Sequence, residues 1–392
     1  MGDQAVPAGR QRGIKKRVTV RLQTRLPDEY TAASAAELSA RVRRAKQALG
    51  DRLVILGHHY QREDVISFAD ARGDSFALSR YAATRGDAEF VVFCGVHFMA
   101  ESADILTGDH QQVLLPDLNA GCSMADMADE DQVAQLWSEL AQVTDIEAVV
   151  PITYMNSSAA LKAFVGRNRG AVCTSSNARA ILTWALGLPG AAAVAGGHGE
   201  KVLFFPDQHL GRNTAVQLGY GAGEMAVVDP RHPLGGLDEA AVKGSSLLLW
   251  KGHCSVHQRF SPAHVAAFRS EHPEGSVIVH PECSHEVVQL ADEVGSTDYI
   301  IKAVERAPAG AVLAVGTEIH LVDRLAEAHP DKTVLSLDPL VCPCSTMSRI
   351  DLPHLAWVLD GLLEGKVRNR ITVGEETAAD ARVALEAMLA IA

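Results

Sequence analysis

Near the end of the chain, Val341-Cys342-Pro343-Cys344-Ser345-Thr346-Met347 sets two thiols on either side of a proline. Zinc-binding cysteine pairs are usually separated by two to four residues, so this is not half of a zinc knuckle. A thiol here that holds a metal needs partners far away in sequence. The other cysteines are Cys94, Cys122, Cys173, Cys254 and Cys283. An all-sulfur donor set suits zinc or an iron–sulfur cluster. Three thiolates alone do not complete a structural zinc site, which normally has four ligands. In a four-iron cubane the same three leave one iron open, a Lewis acid able to bind a carboxylate or hydroxyl and assist loss of water.

The elements that must position such groups repeat three times. Leu53-Val54-Ile55-Leu56 is a continuous apolar run that stops at Gly57-His58-His59-Tyr60. Phe90–Phe93 and Gln112–Leu115 follow, and the segment closes on Gly121-Cys122. The second pass starts at Ala148–Thr153, ends in Tyr154-Met155-Asn156, continues through Gly170–Cys173 and Lys201–Phe205, and closes on Gly252-His253-Cys254. The third runs from Ser276–Val279 into His280-Pro281-Glu282. It then predicts a helix over 286–294, the run Ser296–Ile301 in the place of a strand, and Ala311–Val315. Leu335–Leu340 reads as a buried strand running into the loop with Cys342 and Cys344.

Apolar strands alternating with helices indicate parallel sheets covered on both faces. Ligands of such sheets sit at the strands' carboxyl ends. Here those ends carry His58, Tyr60, Tyr154, Asn156, His280 and Glu282, with Ser175, Ser176, Ser296 and Thr297. Any one of them reads more simply as a turn or helix-cap residue; three repeats delivering them at equivalent places do not. The spacing favours Cys344 over Cys342 as the third closing cysteine: 122 − 58 and 344 − 280 are both 64, against 62 for Cys342. Cys94, Cys173 and Cys283 read as small apolar side chains.

The 392 residues exceed one ordinary core and suggest two or three domains. A formal charge of −12 argues against nucleic acid as a partner. No apolar run approaches the roughly 20 residues that span a bilayer, and residues 1–7 lack the apolar core of a signal peptide. Seven cysteines, an odd number, favour a reducing compartment and a cytoplasmic protein. The expected division is a disordered tail over 1–34, α/β domains over 35–125, 126–260 and 261–350, and C-terminal helices over 351–392.

Several segments together resemble the quinolinate synthase family. They are Gly57–Tyr60, Gly73-Asp74-Ser75, Asn119–Cys122, Tyr154–Ala159, Thr174-Ser175-Ser176, Pro206–Gly211, Gly252–Cys254, His280–Cys283 and Cys344–Met347. They occur in order between about residues 35 and 365. The resemblance implies three Rossmann-like α/β/α domains in pseudo-threefold arrangement around one [4Fe-4S] cluster with three cysteine ligands and one open iron. It implies condensation of iminoaspartate with dihydroxyacetone phosphate to quinolinate, phosphate and water, on the route to NAD, with L-aspartate oxidase as the supplier of iminoaspartate. Carried over residue by residue, Cys122, Cys254 and Cys344 look like the cluster ligands, and Tyr60, Glu282 and His280 like the catalytic set. His58, Ser75, Tyr154, Met155, Asn156, Ser175, His280, Pro281, Glu282 and Thr297 look like the substrate-binding set. Two departures are the extra thiol at Cys342 and His209, which stands where the family pattern leads one to expect asparagine. A zinc-dependent aldolase or hydrolase using the same cysteines is the rival enzyme class. An iron–sulfur redox sensor would need a nucleic-acid-binding module, for which the sequence shows no basic helix-turn-helix.

Overall fold

The computed structural model describes residues 23–340 and 343–391; Cys342 lies outside them, and so does the choice between Cys342 and Cys344. The chain is α/β, with three separate sheets dominated by parallel pairing and consistent with Rossmann-like domains. The first sheet contains β1 (Leu53–His58), β2 (Ala71–Gly73), β3 (Phe90–Cys94) and β4 (Gln112–Leu114). The second contains β5 (Val149–Tyr154), β6 (Ala171–Cys173), β7 (Lys201–Phe205), β8 (Met225–Val228) and β9 (Leu247–Trp250). The third contains β10 (Ser276–Val279), β11 (Glu293–Val294), β12 (Val312–Gly316) and β13 (Thr333–Ser336). A two-residue strand from the C-terminal segment, β14 (Arg370–Ile371), pairs antiparallel with β4.

The orders are β14-β4-β3-β1-β2, β6-β5-β7-β9-β8 and β11-β10-β12-β13. In each, the opening strand lies between the second and the third. That is the switch-point topology, in which chains leave the opening strand in opposite directions and a crevice forms at its carboxyl end. β1 and β5 are buried along their whole length, because parallel strands covered by helices on both faces have no solvent side.

Helices start where the sequence supplies caps. Ser34 and Glu37 form a reciprocal capping box on Ala35–Leu49. Asp74, Ser158 and Asp207 cap Ser75–Thr84, Ala159–Arg167 and Gln208–Gln217. The C-terminal helices fold back: Leu352–Leu363 packs on Ala35–Leu49, and Glu375–Ile391 packs on Ala159–Arg167 and β6. A methyl group at Gly166 would overlap the Asp380 carbonyl, so only glycine permits that approach.

Four expectations need correction. Ser296–Ile301 is not a strand: Thr297–Arg306 is a helix capped by Ser296, with Ile300, Ala303 and Val304 on its buried face. The helix expected over 286–294 ends at Leu290, and Glu293–Val294 is the strand β11 beside β10. Of the tail expected to be disordered over 1–34, the described part is built into the fold. Tyr30 is 4% exposed and its hydroxyl donates to Asp360 at 3.1 Å. At the other end, the strand expected over 335–340 is confined to β13, and Leu340 is exposed.

Candidate active site

The carboxyl ends of the three opening strands face one cavity of about 670 Å³, its mouth included. β1 delivers His58 and Tyr60, β5 delivers Tyr154 and Asn156, and β10 delivers His280 and Glu282. The second strands add Asp74 and Ser75, Thr174 and Ser175, and Thr297. The first and third domains build the same local turn. The Tyr60 N–H donates to Nδ1 of His58 at 3.1 Å, and the Glu282 N–H donates to Nδ1 of His280 at 3.4 Å. An Nδ1 that accepts carries no proton, so both rings keep theirs on Nε2.

Cys122, Cys254 and Cys344 line this cavity together. Each opens a similar turn, its carbonyl accepting the N–H four residues on: Asp126, Gln258 and Ser348, at 3.2, 3.0 and 2.9 Å. A short 3₁₀ segment follows three residues after each thiol. All six cysteines among the described residues are free. The loop beginning at Pro206 supports the second turn: the Gln208 N–H donates to the Gly252 carbonyl at 3.0 Å. His209 reaches Gln258 Oε1 at 3.0 Å. The Cys344 N–H donates to Oε1 of the fully buried Glu318 at 3.1 Å.

Glu282 is the centre of the polar network. Tyr154 Oη donates to its Oε1 at 2.5 Å, and His257 Nδ1 lies 2.7 Å from its Oε2. His257 stacks on His280 with ring centroids 4.5 Å apart, and its Nε2 reaches Thr317 Oγ1 at 3.2 Å. That hydroxyl also bonds Tyr60 Oη at 2.8 Å. Burial raises the Glu282 carboxyl, but the adjacent His257 and His280, with hydrogen bonds from His257 and Tyr154, hold it down at about 2. Burial, then Glu282, pushes both tyrosine hydroxyls well above their usual range. Burial pulls His58 and His280 down to about 3. The cavity therefore holds a carboxylate, neutral phenols and, at His58 and His280, neutral imidazoles.

Met155 and Pro281 do not line the cavity. Met155 is fully buried with its sulfur on Ser102 Oγ, and the Pro281 carbonyl faces Asn213. The sequence reading missed His257, Thr317 and Asp74. His257 stands three residues after Cys254, a metal-type Cys-x-x-His spacing that points to it. Asp74 caps the helix that begins at Ser75 and accepts from Ser176 of the second domain.

Two donor sets here are able to hold metal. Cys254, His257 and Glu282 place one ligand atom each within 4.8 Å of one another. Yet the ring nitrogens of His257 and both oxygens of Glu282 are engaged in hydrogen bonds within the network. The three thiols from three domains form a soft set in a cavity also lined by Val96, Met124, Val256 and Met347. That chemistry fits an iron–sulfur cluster.

The family model described as Quinolinate synthetase A protein matches residues 40–390. A quinolinate synthase of Corynebacterium glutamicum is 54% identical over 366 residues, covering 93% of this chain and 90% of the relative. One from Streptomyces coelicolor is 56% identical over 368 residues, covering 93% and 91%. One from a Geobacillus species is 52% identical over 371 residues, covering 94% and 97%.

Proposed function

The chain belongs to the Quinolinate synthetase A protein family, and from that membership we propose how its cavity carries out the reaction. It is an enzyme of NAD biosynthesis that forms quinolinate. The proposed substrates are iminoaspartate and dihydroxyacetone phosphate, the first supplied by an L-aspartate oxidase. Cys122, Cys254 and Cys344 would hold a [4Fe-4S] cluster. When bound, it supplies an open Lewis-acidic iron for the loss of hydroxide.

One observation carries this reading: three closing cysteines, one per domain and each in a similar turn, share a cavity with the ends of all three opening strands. Ring formation from a triose phosphate and an imine needs phosphate loss, a proton shift beside a carbonyl, and two dehydrations. Glu282, held ionised, is the base, and Tyr60, held neutral, is the acid; environments that push two groups apart define such a pair. His58 and His280 direct Nε2–H donors at carboxylate, carbonyl or phosphate oxygens. Ser75, Tyr154, Asn156, Ser175 and Thr297 hold the substrates' anionic groups. Met155 would act from behind, as packing beneath Asn156, and Pro281 as the rigid link between His280 and Glu282.

A single divalent ion on Cys254, His257 and Glu282 is the second reading, favoured by their mutual approach. Anaerobic purification with iron, sulfide and zinc analysis separates the two. The cluster reading expects coloured protein with about four irons that makes quinolinate from the two substrates; colourless protein with stoichiometric zinc sinks it. Cys122→Ala, Cys254→Ala and Cys344→Ala should each lose iron, while Cys94→Ala and Cys342→Ala retain it. Iron lost in Cys342→Ala but kept in Cys344→Ala would move the third ligand to Cys342. The free thiols are in keeping with a reducing, cytoplasmic setting. Among the described residues, no helix is long and apolar enough to cross a membrane.

A further inference from the structure

We infer that Asn213, a second-domain residue outside the cavity, is the positioning residue for Glu282 of the third domain. Asn213 lies on the helix Gln208–Gln217 and is 1% exposed. Its Nδ2 donates to the Pro281 carbonyl at 2.8 Å and to the Cys283 carbonyl at 2.9 Å. Its Oδ1 lies 2.9 Å from Nδ1 of His285.

Two carbonyls can only accept, so the amide must turn its NH₂ towards them and its oxygen towards His285. His285 must then carry its proton on Nδ1. One buried amide thus uses both donors and its acceptor on a single short stretch, and the two carbonyls it grips flank Glu282 in sequence. Prolyl geometry restricts the chain before Glu282, and Asn213 fixes the Pro281–Glu282 peptide before it and the Cys283–Ser284 peptide one residue beyond it. The carboxylate of Glu282 is met from the same domain by Tyr154 at 2.5 Å. The second domain therefore sets both the backbone and the side chain of this third-domain residue. Without Asn213, the loop keeps its internal bonds to His280 and the carboxylate's own bonds, but loses both carbonyl anchors to the second domain that aim Glu282 between Tyr154 and His257. A misplacement of about 1 Å in such a group costs roughly 10²-fold in rate.

The inference rests on the reading of Glu282 as the base, and the experiment keeps the two separable. Steady-state quinolinate formation is measured for wild-type protein and for Asn213→Ala, His285→Ala and Glu282→Gln, each with iron content and Tm. Asn213→Ala should lower kcat about 10²-fold, with KM within about twofold and wild-type iron. His285→Ala removes one orienting bond and should lower kcat about fivefold, the equivalent of one hydrogen bond. A wild-type kcat in Asn213→Ala overturns the inference, as does a loss of kcat only in proportion to lost iron and folded fraction. If Asn213→Ala does not fold, His285→Ala decides, and an unchanged kcat there overturns the inference. Wild-type turnover in Glu282→Gln removes the base assignment itself. Inactive Glu282→Gln beside fully active Asn213→Ala removes only the role of Asn213.

Discussion

The first two domains and the third are held together by different kinds of contact. One continuous apolar core runs through the first and second sheets, the helix Ala35–Leu49 and both C-terminal helices. The third domain has two cores of its own, centred on Ile300, Val315 and Leu325 and on Val265, Val277 and Val287. It meets the rest largely through polar groups: Tyr60 with Thr317, Tyr154 with Glu282, Asn213 with the Glu282 loop, and Arg324 with the His59 and Gln61 carbonyls. Hydrophobic contact is large and undirected, whereas a hydrogen bond contributes only about 1 kcal/mol net but fixes an angle. The fused core supplies stability, and the polar seam supplies the geometry of the site.

The largest test of this contrast is on the fused side. Leu385→Ala, at a fully buried position in the last helix, should cost about 2–5 kcal/mol in urea unfolding and leave KM unchanged. A loss below about 1 kcal/mol would mean that the C-terminal helix is not integral to the shared core.

On the seam, Thr317→Val removes the hydroxyl that meets both Tyr60 and His257. It should change stability by about 1 kcal/mol or less and lower kcat about tenfold, equivalent to about 1.4 kcal/mol of barrier. Equal effects on both quantities would erase the distinction drawn between the two regions.

The fused core also holds a buried cation. Lys162 is fully buried, with Nζ on the Ser157 carbonyl at 2.5 Å, and burial pulls its pKa down to about 7 despite the nearby Glu101. The unfolded lysine titrates near 10.4. Between those values the unfolded chain binds more protons, so stability should rise with pH by up to about 1.4 kcal/mol per unit. The penalty is complete below pH ~7 and gone above ~10.4. Urea unfolding at pH 7, 8 and 9 should show that slope in wild-type protein and lack it in Lys162→Met; parallel lines would count against it.

The smallest effect belongs to the exposed pair Lys302–Asp298 at 2.7 Å. Asp298→Asn should shift Tm by less than a degree or two, since such pairs contribute about 0.3–0.5 kcal/mol.

Much of the fold was legible because parallel strands buried on both faces are continuous apolar runs, as in Val54–Leu56 and Leu247–Leu249. The site was legible where a strand ended abruptly in a polar group, as at His58, Tyr154 and His280. Short elements failed. β11 is only two residues long, and Ser296–Ile301 places β-branched residues on a helix whose cap and buried face decide its conformation. His257, Thr317 and Asn213 act across domain boundaries, and no periodicity within one segment reports a partner 25, 257 or 68 residues away. A local signal in the sequence also marks the third thiol. Cys122, Cys254 and Cys344 are each followed by serine, whereas Cys342 is followed by proline.

The two-residue strand β14 has a consequence for synthesis. It lies at the edge of the first sheet, beside β4, although more than 250 residues separate them. A chain emerging from the ribosome in order therefore displays the open edge of its first domain until residues 370–371 have been made. The last helix arrives later still, to cover the buried faces of Ala159–Arg167 and β6. Translation can deliver each sheet in turn, but the first waits for a strand made only after the other two before its edge is closed.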